Sequence, residues 1–529
     1  MKILTAAEMR EVDRLSTDRY GIPSLTLMEN AGASVAQVIA ERFSNFARRR
    51  IAVLCGKGNN GGDGFVVARH LLEMGTKPEV FFFTDTSQPE GDAATNLKRW
   101  RKISGALHTV VTEHQWQAAK PAIASADIFV DALLGTGVRG RVEGLLEKAI
   151  QEVNQHSPGK SVIAVDIPSG LPADTGEAQG AVIVADCTVT FTAPKLGMIL
   201  GRAEEYVGQL VVREIGSPPE LIEEIGKGNA RWSEPREFAP FAIPRTASGH
   251  KGDYGHALIV AGSVGKSGAA VLAGWAALRA GAGLVTVATA EPVLPIVASH
   301  IPEIMTEPLA ATESGTISLR ALEYERFNNL LRGKRALAIG PGLTTQTETQ
   351  QFVRTIVASR GEIPIILDAD GLNALDGHAE KLKGSQGTLA VTPHPGEMAR
   401  LLGCSTSEVQ ARRLDVARKS ATDWNAIVVL KGHQTVIASP DGPAWINSTG
   451  NPGMGTGGTG DVLTGILAGL TAQYGTSDWR RVLGFSVFLH GLAGDIAYAD
   501  SGEAPLMASD LIHALPRAYQ EFYSENGRG

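Results

Sequence analysis

Apolar positions fall into two series of short continuous runs, each run followed by a stretch of helical or mixed spacing. Thr5 can cap a first helix that carries Met9, Val12 and Leu15 along one side. Gly21-Ile22-Pro23-Ser24 breaks it, and a second helix runs to about residue 43. Beyond it the pattern predicts strands at 51–55, 79–84, 127–132, 161–166, 186–191 and 208–213. Strands apolar throughout and separated by helices imply a parallel sheet covered on both faces. A second series predicts strands at 256–261, 284–288, 335–339, 363–367, 387–391, 426–430 and 435–438, then helices after Gly460. Between the series, residues 216–240 are rich in proline, charge and small side chains and read as a linker. The expected organisation is therefore two unlike α/β domains, 1–215 and 241–510, with a tail at 511–529.

Composition agrees with that division. A chain of 529 residues is too long for one ordinary core, and 43% apolar with 20% charged residues is globular composition. The net charge of -7 and the lack of a long basic run speak against a nucleic-acid partner. Cys55, Cys187 and Cys404 have neither disulfide-framework nor zinc-site spacing. The N-terminus turns polar too soon for a signal peptide, and the apolar stretch 269–290 is interrupted by Arg279 and glycines. The expectation is a cytoplasmic protein with no membrane partner. Parallel-sheet enzymes often self-associate, so a homo-oligomer is expected, although no interface stripe can be read.

Candidate chemistry gathers at predicted strand ends, the rim where open parallel sheets bind ligands. The first strand runs into Gly56-Lys57-Gly58-Asn59-Asn60-Gly61-Gly62-Asp63-Gly64, flexible backbone beside a helix start, which suits a phosphate. It satisfies G-x-G-x-x-G, but the acidic residue expected about 20 positions on is not clearly present. Asp131 precedes a second flexible loop, Gly135-Thr136-Gly137-Val138-Arg139-Gly140-Arg141, and Asp166 opens Asp166-Ile167-Pro168-Ser169-Gly170. Asn60, Asp131 and Ser169 are hard oxygen donors able to meet around a cation, and Asp166 can exchange a proton if it faces the pocket. Each also has a plain role as a turn or helix cap. Lys195 is either a charge partner or a surface lysine.

In the second half, Gly265-Lys266-Ser267 imitates a P-loop, but Val260 stands where the first glycine belongs. The densest glycine run, Asn451 to Asp461, precedes an apolar helix. Amides at such a helix start can neutralise charge on a transferring phosphoryl group, and Asp461 can take a proton from an attacking hydroxyl. Gly342, the Asp368-Ala369-Asp370-Gly371-Leu372-Asn373 segment, His394 with Glu397, and Lys431-Gly432-His433-Gln434-Thr435 follow other strands.

GKGNNGGDG, DALLGTGVRG and DIPSG, with LMENAG before them, resemble the epimerase domain of the NAD(P)H-hydrate repair enzymes over residues 1–215. GSVGKSGAA, DADGLN, TPHPGE and GTGGTGD are similar to the dehydratase domain of the same family over about 240–510. The resemblance implies a Rossmann-like three-layer domain followed by a ribokinase-like one. It implies that Asn59–Asp63 (Asn60, Gly61 and Gly62 included) and Gly135–Arg141 hold a hydrated NADH or NADPH. It places a potassium ion on Asn60, Asp131 and Ser169, with Asp166 as acid or base. It further implies that Ala270, Gly342, His394 and Asp461 surround the hydrate, with Asp461 catalytic. Lys431, Gly432, His433, Gln434, Thr435 and Gly460 would contact ADP or ATP carrying magnesium. Two alternatives remain at this stage: a small-molecule kinase for a hydroxymethyl vitamin precursor or sugar, and a non-enzymatic nucleotide-sensing scaffold.

Overall fold

A capping box starts the chain: Thr5 accepts the Glu8 amide at 3.2 Å and Glu8 accepts the Thr5 amide at 2.8 Å, opening the helix Ala6–Asp18. The computed structural model describes residues 1–85, 87, 89–103, 105–138, 140–200, 202–228, 230–359, 361–383 and 388–527. It divides into two units, Met1–Gly228 and Asn229–Gly529.

The first unit holds β1 (Ile51–Cys55), β2 (Glu79–Phe82), β3 (Ala106–Thr109), β4 (Ile128–Ala132), β5 (Ser161–Val165), β6 (Cys187–Phe191) and β7 (Gln209–Arg213). They form one parallel sheet in the order β3-β2-β1-β4-β5-β6-β7. Because side chains alternate across a strand, Val53 and Cys55 of β1 join one core with Val35, Ile39, Phe65 and Trp100. Ala52 and Leu54 join the other, with Trp116, Ile123, Ile150 and Val153. Both faces are thus covered, as the apolar runs require.

The second unit is a ten-stranded sheet of β8 (Ala230–Trp232), β9 (His256–Val260), β10 (Leu284–Ala290), β11 (Met305–Leu309), β12 (Ala336–Ile339), β13 (Ile365–Leu367), β14 (Leu389–Val391), β15 (Ile427–Leu430), β16 (Val436–Ala438) and β17 (Ala444–Ile446). Its order is β11-β10-β9-β12-β13-β14-β15-β16-β17-β8. It is parallel from β11 to β15, antiparallel through β16 and β17, and parallel again between β17 and β8.

Three expectations need correction. Residues 216–240 are not a linker. The helix Pro219–Ile225 buries Leu221 and Ile222 in the first unit, where Lys2 donates to the Glu223 and Gly226 carbonyls at 2.6 and 2.7 Å. On the other side of the division, β8 pairs with β17, and Phe238 packs on Trp445, Phe485 and Phe488. Nor is 511–529 a tail. The helix Ala508–Glu525 buries Leu511, Ile512, Leu515 and Phe522, and its Tyr519 hydroxyl donates to the Ala280 carbonyl at 2.6 Å. The most membrane-like stretch is Trp479–Ser501 and not 269–290, and 78% of its apolar window is buried inside the protein, as in a core helix.

The helix Thr459–Tyr474 reaches the sheet by lying close along the helix Ser267–Arg279. A Cβ on Gly465 would stand 2.1 Å from the Ala273 carbonyl oxygen, and one on Gly469 would stand 2.5 Å from that of Ala277. Two glycines one turn apart therefore face two alanines one turn apart. Gly465→Ala is expected to destabilise the second unit by about 1–3 kcal/mol, despite alanine's better helix propensity. Urea unfolding followed by hydrogen exchange of the 459–474 amides would read this. A variant as stable as the parent would refute the close-contact account.

Candidate active sites

In the first unit the rim of β1, β4, β5 and β6 opens into a cavity of about 1120 Å³. Its wall includes Asn59, Asn60 and Asp63 from the first loop and helix, and Gly135, Thr136, Gly137, Val138, Gly140 and Arg141 from the second. Arg139 lies outside the described residues. Gly61 and Gly62 are buried in the turn itself. A Cβ on Gly61 would meet the Gly56 carbonyl oxygen at 1.9 Å, so only glycine lets the helix Asn59–Glu73 start this close to β1.

Beneath the loops, Asp131 is 1% exposed. Its carboxylate accepts the Ser169 hydroxyl at 2.6 Å and the Ser169 amide at 2.8 Å. Ser169 Oγ accepts the Leu134 amide at 2.8 Å, and Asn60 Nδ2 donates to the Leu134 carbonyl at 2.9 Å. The structure thus brings Asn60, Asp131 and Ser169 together around Leu134, the residue that leads into the second loop. Burial pushes the Asp131 carboxyl up to about 6, opposed by the bonds from Ser169 and Leu133. Among the described residues Asn60 Oδ1 is buried with no hydrogen-bond partner.

Asp166 follows β5 with φ 66, the left-handed region that a non-glycine residue rarely adopts. Lys195, 1% exposed, donates to Asp166 Oδ1, to Thr190 Oγ1 at 2.8 Å and to the Phe191 carbonyl at 3.2 Å. Lys195 is therefore a charge partner and not a surface lysine. Asp13 also lines the cavity, and burial raises its carboxyl to about 6. The sequence reading missed Asp13. It stands one turn beyond Met9 on the helix face that predicted burial, which was the available signal.

In the second unit the sites lie at the ends of β12 to β15. Asp368, 1% exposed, follows β13 and accepts from Lys431 Nζ at 2.5 Å, Thr392 Oγ1 at 2.7 Å and Thr464 Oγ1 at 2.6 Å. Lys431 also approaches Glu397 at 3.8 Å. Thr464 belongs to the helix Thr459–Tyr474, whose first turn carries Gly460 and Asp461. A Cβ on Gly460 would lie 3.6 Å from Lys431 Nζ. Burial, then the Asp368 carboxylate, pushes Asp461 up to about 6 against the pull of Lys431. Gly458 enters the helix at φ 93, and Thr459 Oγ1 ties the loop back by donating to the Met454 and Thr456 carbonyls at 2.9 and 3.0 Å.

The other expected contacts sit around this core. Gly342, at φ 66, accepts the Ser263 hydroxyl at 2.7 Å, joining its loop to the early glycine-rich one. Ala270 is fully buried behind Gly262. His394 caps the helix Pro395–Leu402 by accepting the Gly396 amide at 3.0 Å, and burial lowers its pKa. Gly432 and His433 are exposed, Gln434 has φ 52, and buried Thr435 donates to the Gly432 carbonyl at 3.0 Å. Missed in the sequence reading were Thr464, the Lys266–Asp370 pair at 3.1 Å, and Asp368 as the anchor of Lys431. The DADGLN segment was noted, but nothing local separates the roles of its two aspartates.

Lys431→Met leaves a buried carboxylate without its cation, and is expected to cost about 3–5 kcal/mol in urea unfolding. Adding Asp368→Asn should recover part of that loss. Equal stability of the single variant and the parent would mean that the pair does not hold this rim.

Comparison with known proteins follows the same division. Residues 24–197 match the family described as YjeF-related protein N-terminus, and residues 257–517 the family described as NAD(P)H-hydrate dehydratase. The bifunctional NAD(P)H-hydrate repair enzyme Nnr of Moorella thermoacetica is 45% identical over 99% of this chain and 98% of its own length. Its Escherichia coli counterpart is 36% identical over 97% and 93%. Among solved structures, the ADP/ATP-dependent NAD(P)H-hydrate dehydratase of Bacillus subtilis, co-crystallised with ATP and Mg2+, is 33% identical. It covers 55% of this chain and 97% of its own, with a TM-score of 0.45.

Proposed function

This chain belongs to the family of bifunctional NAD(P)H-hydrate repair enzymes, and from that premise we infer that it restores hydrated NADH and NADPH in two steps. The first unit epimerises the R and S forms at C6 of the nicotinamide ring. The second dehydrates the S form, using ADP or ATP. The observation that carries this reading is an alignment to the repair enzymes that runs through both units, over 99% of the chain.

The first unit is read as Rossmann-like, which its strand order supports. Asn59–Asp63 and the 135–141 loop would hold the hydrated cofactor, their backbone amides serving the phosphates. Asn60, Asp131 and Ser169 fit a potassium ion: all donors are oxygen, one carboxylate matches a single charge, and Asn60 Oδ1 is a buried oxygen without a partner among the described residues. When bound, the ion would supply fixed positive charge beneath the loops. Lys195 orients Asp166 at the rim, where Asp166 exchanges a proton with the ring.

The second unit is read as ribokinase-like. Lys431–Thr435 and Gly460 would contact the nucleotide, and Gly342, His394 and Asp461, with Ala270 behind them, the hydrate. Among the described residues no three His, Cys, Asp or Glu side chains stand ready for a metal, so magnesium is expected to arrive on the nucleotide phosphates. Hydroxide is a poor leaving group. Asp461 would take the proton of the C6 hydroxyl as it is phosphorylated. Phosphate then leaves with the C6–O pair while the ring nitrogen supplies electrons and a C5 proton is lost, giving NAD(P)H. The amides at the start of the 459–474 helix would stabilise the transferring group.

Absorbance of NADH regenerated from each resolved epimer, with ADP and ATP tested separately beside magnesium and potassium, checks both activities. Recovery from both epimers, dependent on nucleotide, is expected. A stable phosphorylated vitamin or sugar, with no NADH formed, would overturn the reading. Asp461→Ala is expected to cut the dehydration rate by at least about 100-fold. Because Asp461 acts ionised and its carboxyl lies near 6, the parent's rate should fall roughly tenfold per pH unit below about pH 6. A rate flat from pH 7 to 5 would remove Asp461 from that role.

A further inference from the structure

Among the carboxyls that line the first unit's cavity, Asp63 and Asp166 have surroundings opposite in character. Asp166 receives a hydrogen bond from the Lys195 ammonium. Asp63 lines the same cavity and, among the described residues, has no hydrogen-bond or ion-pair partner. Glycines flank it at 61, 62 and 64, and each is pinned. A Cβ on Gly62 would meet Met28 Sδ at 2.8 Å, and one on Gly64 would meet Cys55 Sγ at 2.6 Å. The turn is fixed against the sheet, and Asp63 is the carboxyl it offers to the cavity beside Asn59 and Asn60.

We propose that Asp63 is the proton donor of the epimerisation and Asp166 its proton acceptor. The assignment rests on the epimerase reading above. The hydrated C6 bears a hydroxyl and is bonded to the ring nitrogen, so it can invert through an open-chain aldehyde. Asp166 takes the hydroxyl proton, the O–H pair becomes the C=O bond, and the C6–N bond breaks. Its electron pair stays on nitrogen, which takes the Asp63 proton. Rotation about C5–C6 turns the other carbonyl face to nitrogen. Nitrogen then re-adds, returning its proton to Asp63, while the oxygen regains one from Asp166. Nothing is oxidised or reduced, and no further reactant is consumed.

Electrostatics agree with this division of labour. Burial first, then the Asp166 and Asp13 carboxylates, pushes Asp63 well above the ordinary carboxylate range, with Asp92 adding to the rise and Lys195 opposing it. Asp13 comes from the helix Ala6–Asp18 and Asp92 from Gly91–Lys102, while the Cys55 thiol lies behind on β1. A carboxyl held above its ordinary range, beside a carboxylate that accepts from a lysine, is the arrangement two-way proton exchange needs.

The test uses the full chain without nucleotide, following conversion of one pure epimer by chromatography. The parent should show a bell-shaped kcat profile whose alkaline limb reports loss of the Asp63 proton. Asp63→Asn should lose at least about 100-fold in kcat with KM within a few-fold, unfold at no lower urea concentration, and lose the alkaline limb. Asp13→Asn removes one of the carboxylates facing Asp63 and should move that limb to lower pH, which a merely structural Asp63 would not produce. D63N with near-parental kcat, or a limb that D13N leaves in place, overturns the donor role while the epimerase reading stands. Parent protein that leaves both epimers unchanged overturns that reading, and the pair with it.

Discussion

In each unit a lysine is drawn inward from the end of one strand onto an aspartate at the end of another, and each rim is organised around that contact. Lys195, beyond β6, reaches Asp166 after β5, and Lys431, at the end of β15, reaches Asp368 after β13. Ions this far from water are stable only when nearly every donor and acceptor is met, so such pairs fix the elements that supply them. Asp368 gathers a lysine and two threonines from three elements, β14's end and the 459–474 helix among them. Asp461 lies one turn before Thr464 on that helix, so its position follows from a buried contact that does not include it.

The backbone bears the cost of crowding so much chemistry at strand ends. Among the described residues seven non-glycine positions have positive φ, and five of them, Asp166, Thr192, Thr344, Ala369 and Gln434, lie in the loops just past β5, β6, β12, β13 and β15. Each such residue costs on the order of 1 kcal/mol or more and persists only where its surroundings hold it. The sheet cores supply that hold. β1, β4 and β6 are buried from end to end, so the strain sits on a rim that cannot easily relax.

The central strands were legible because an apolar run of five residues, closed by glycine or aspartate, has few other readings. Three of the four edge strands were not. Ala106–Thr109 is half exposed, Met305–Leu309 contains Pro308, and Ala230–Trp232 sits in a stretch whose composition says linker. A short edge strand owes its pairing to a partner distant in sequence, here residue 230 to residue 444, and local pattern cannot report that. The loops that form each rim could be read from their glycines. The side chains that reach in from other elements were harder to read: Asp13 shows only its place on the buried face of its helix, and Thr464 reads as one more residue of an apolar helix until its contact with Asp368 is seen. The last helix was misread for a related reason: its apolar face has meaning only beside Phe485, against which Phe522 packs at 4.7 Å.

That long-range pairing gives the molecule a direction in time. Every strand of the first sheet has been synthesised by residue 213, so this unit can close while much of the chain is still being made. The second sheet cannot. Its edge strand at 230–232 waits for a partner at 444–446, and Ala280 waits for the hydroxyl of Tyr519. A nascent chain stalled anywhere in that interval therefore carries one finished unit and one with exposed strand edges. Premature termination should produce aggregation-prone fragments from the second half far more readily than from the first.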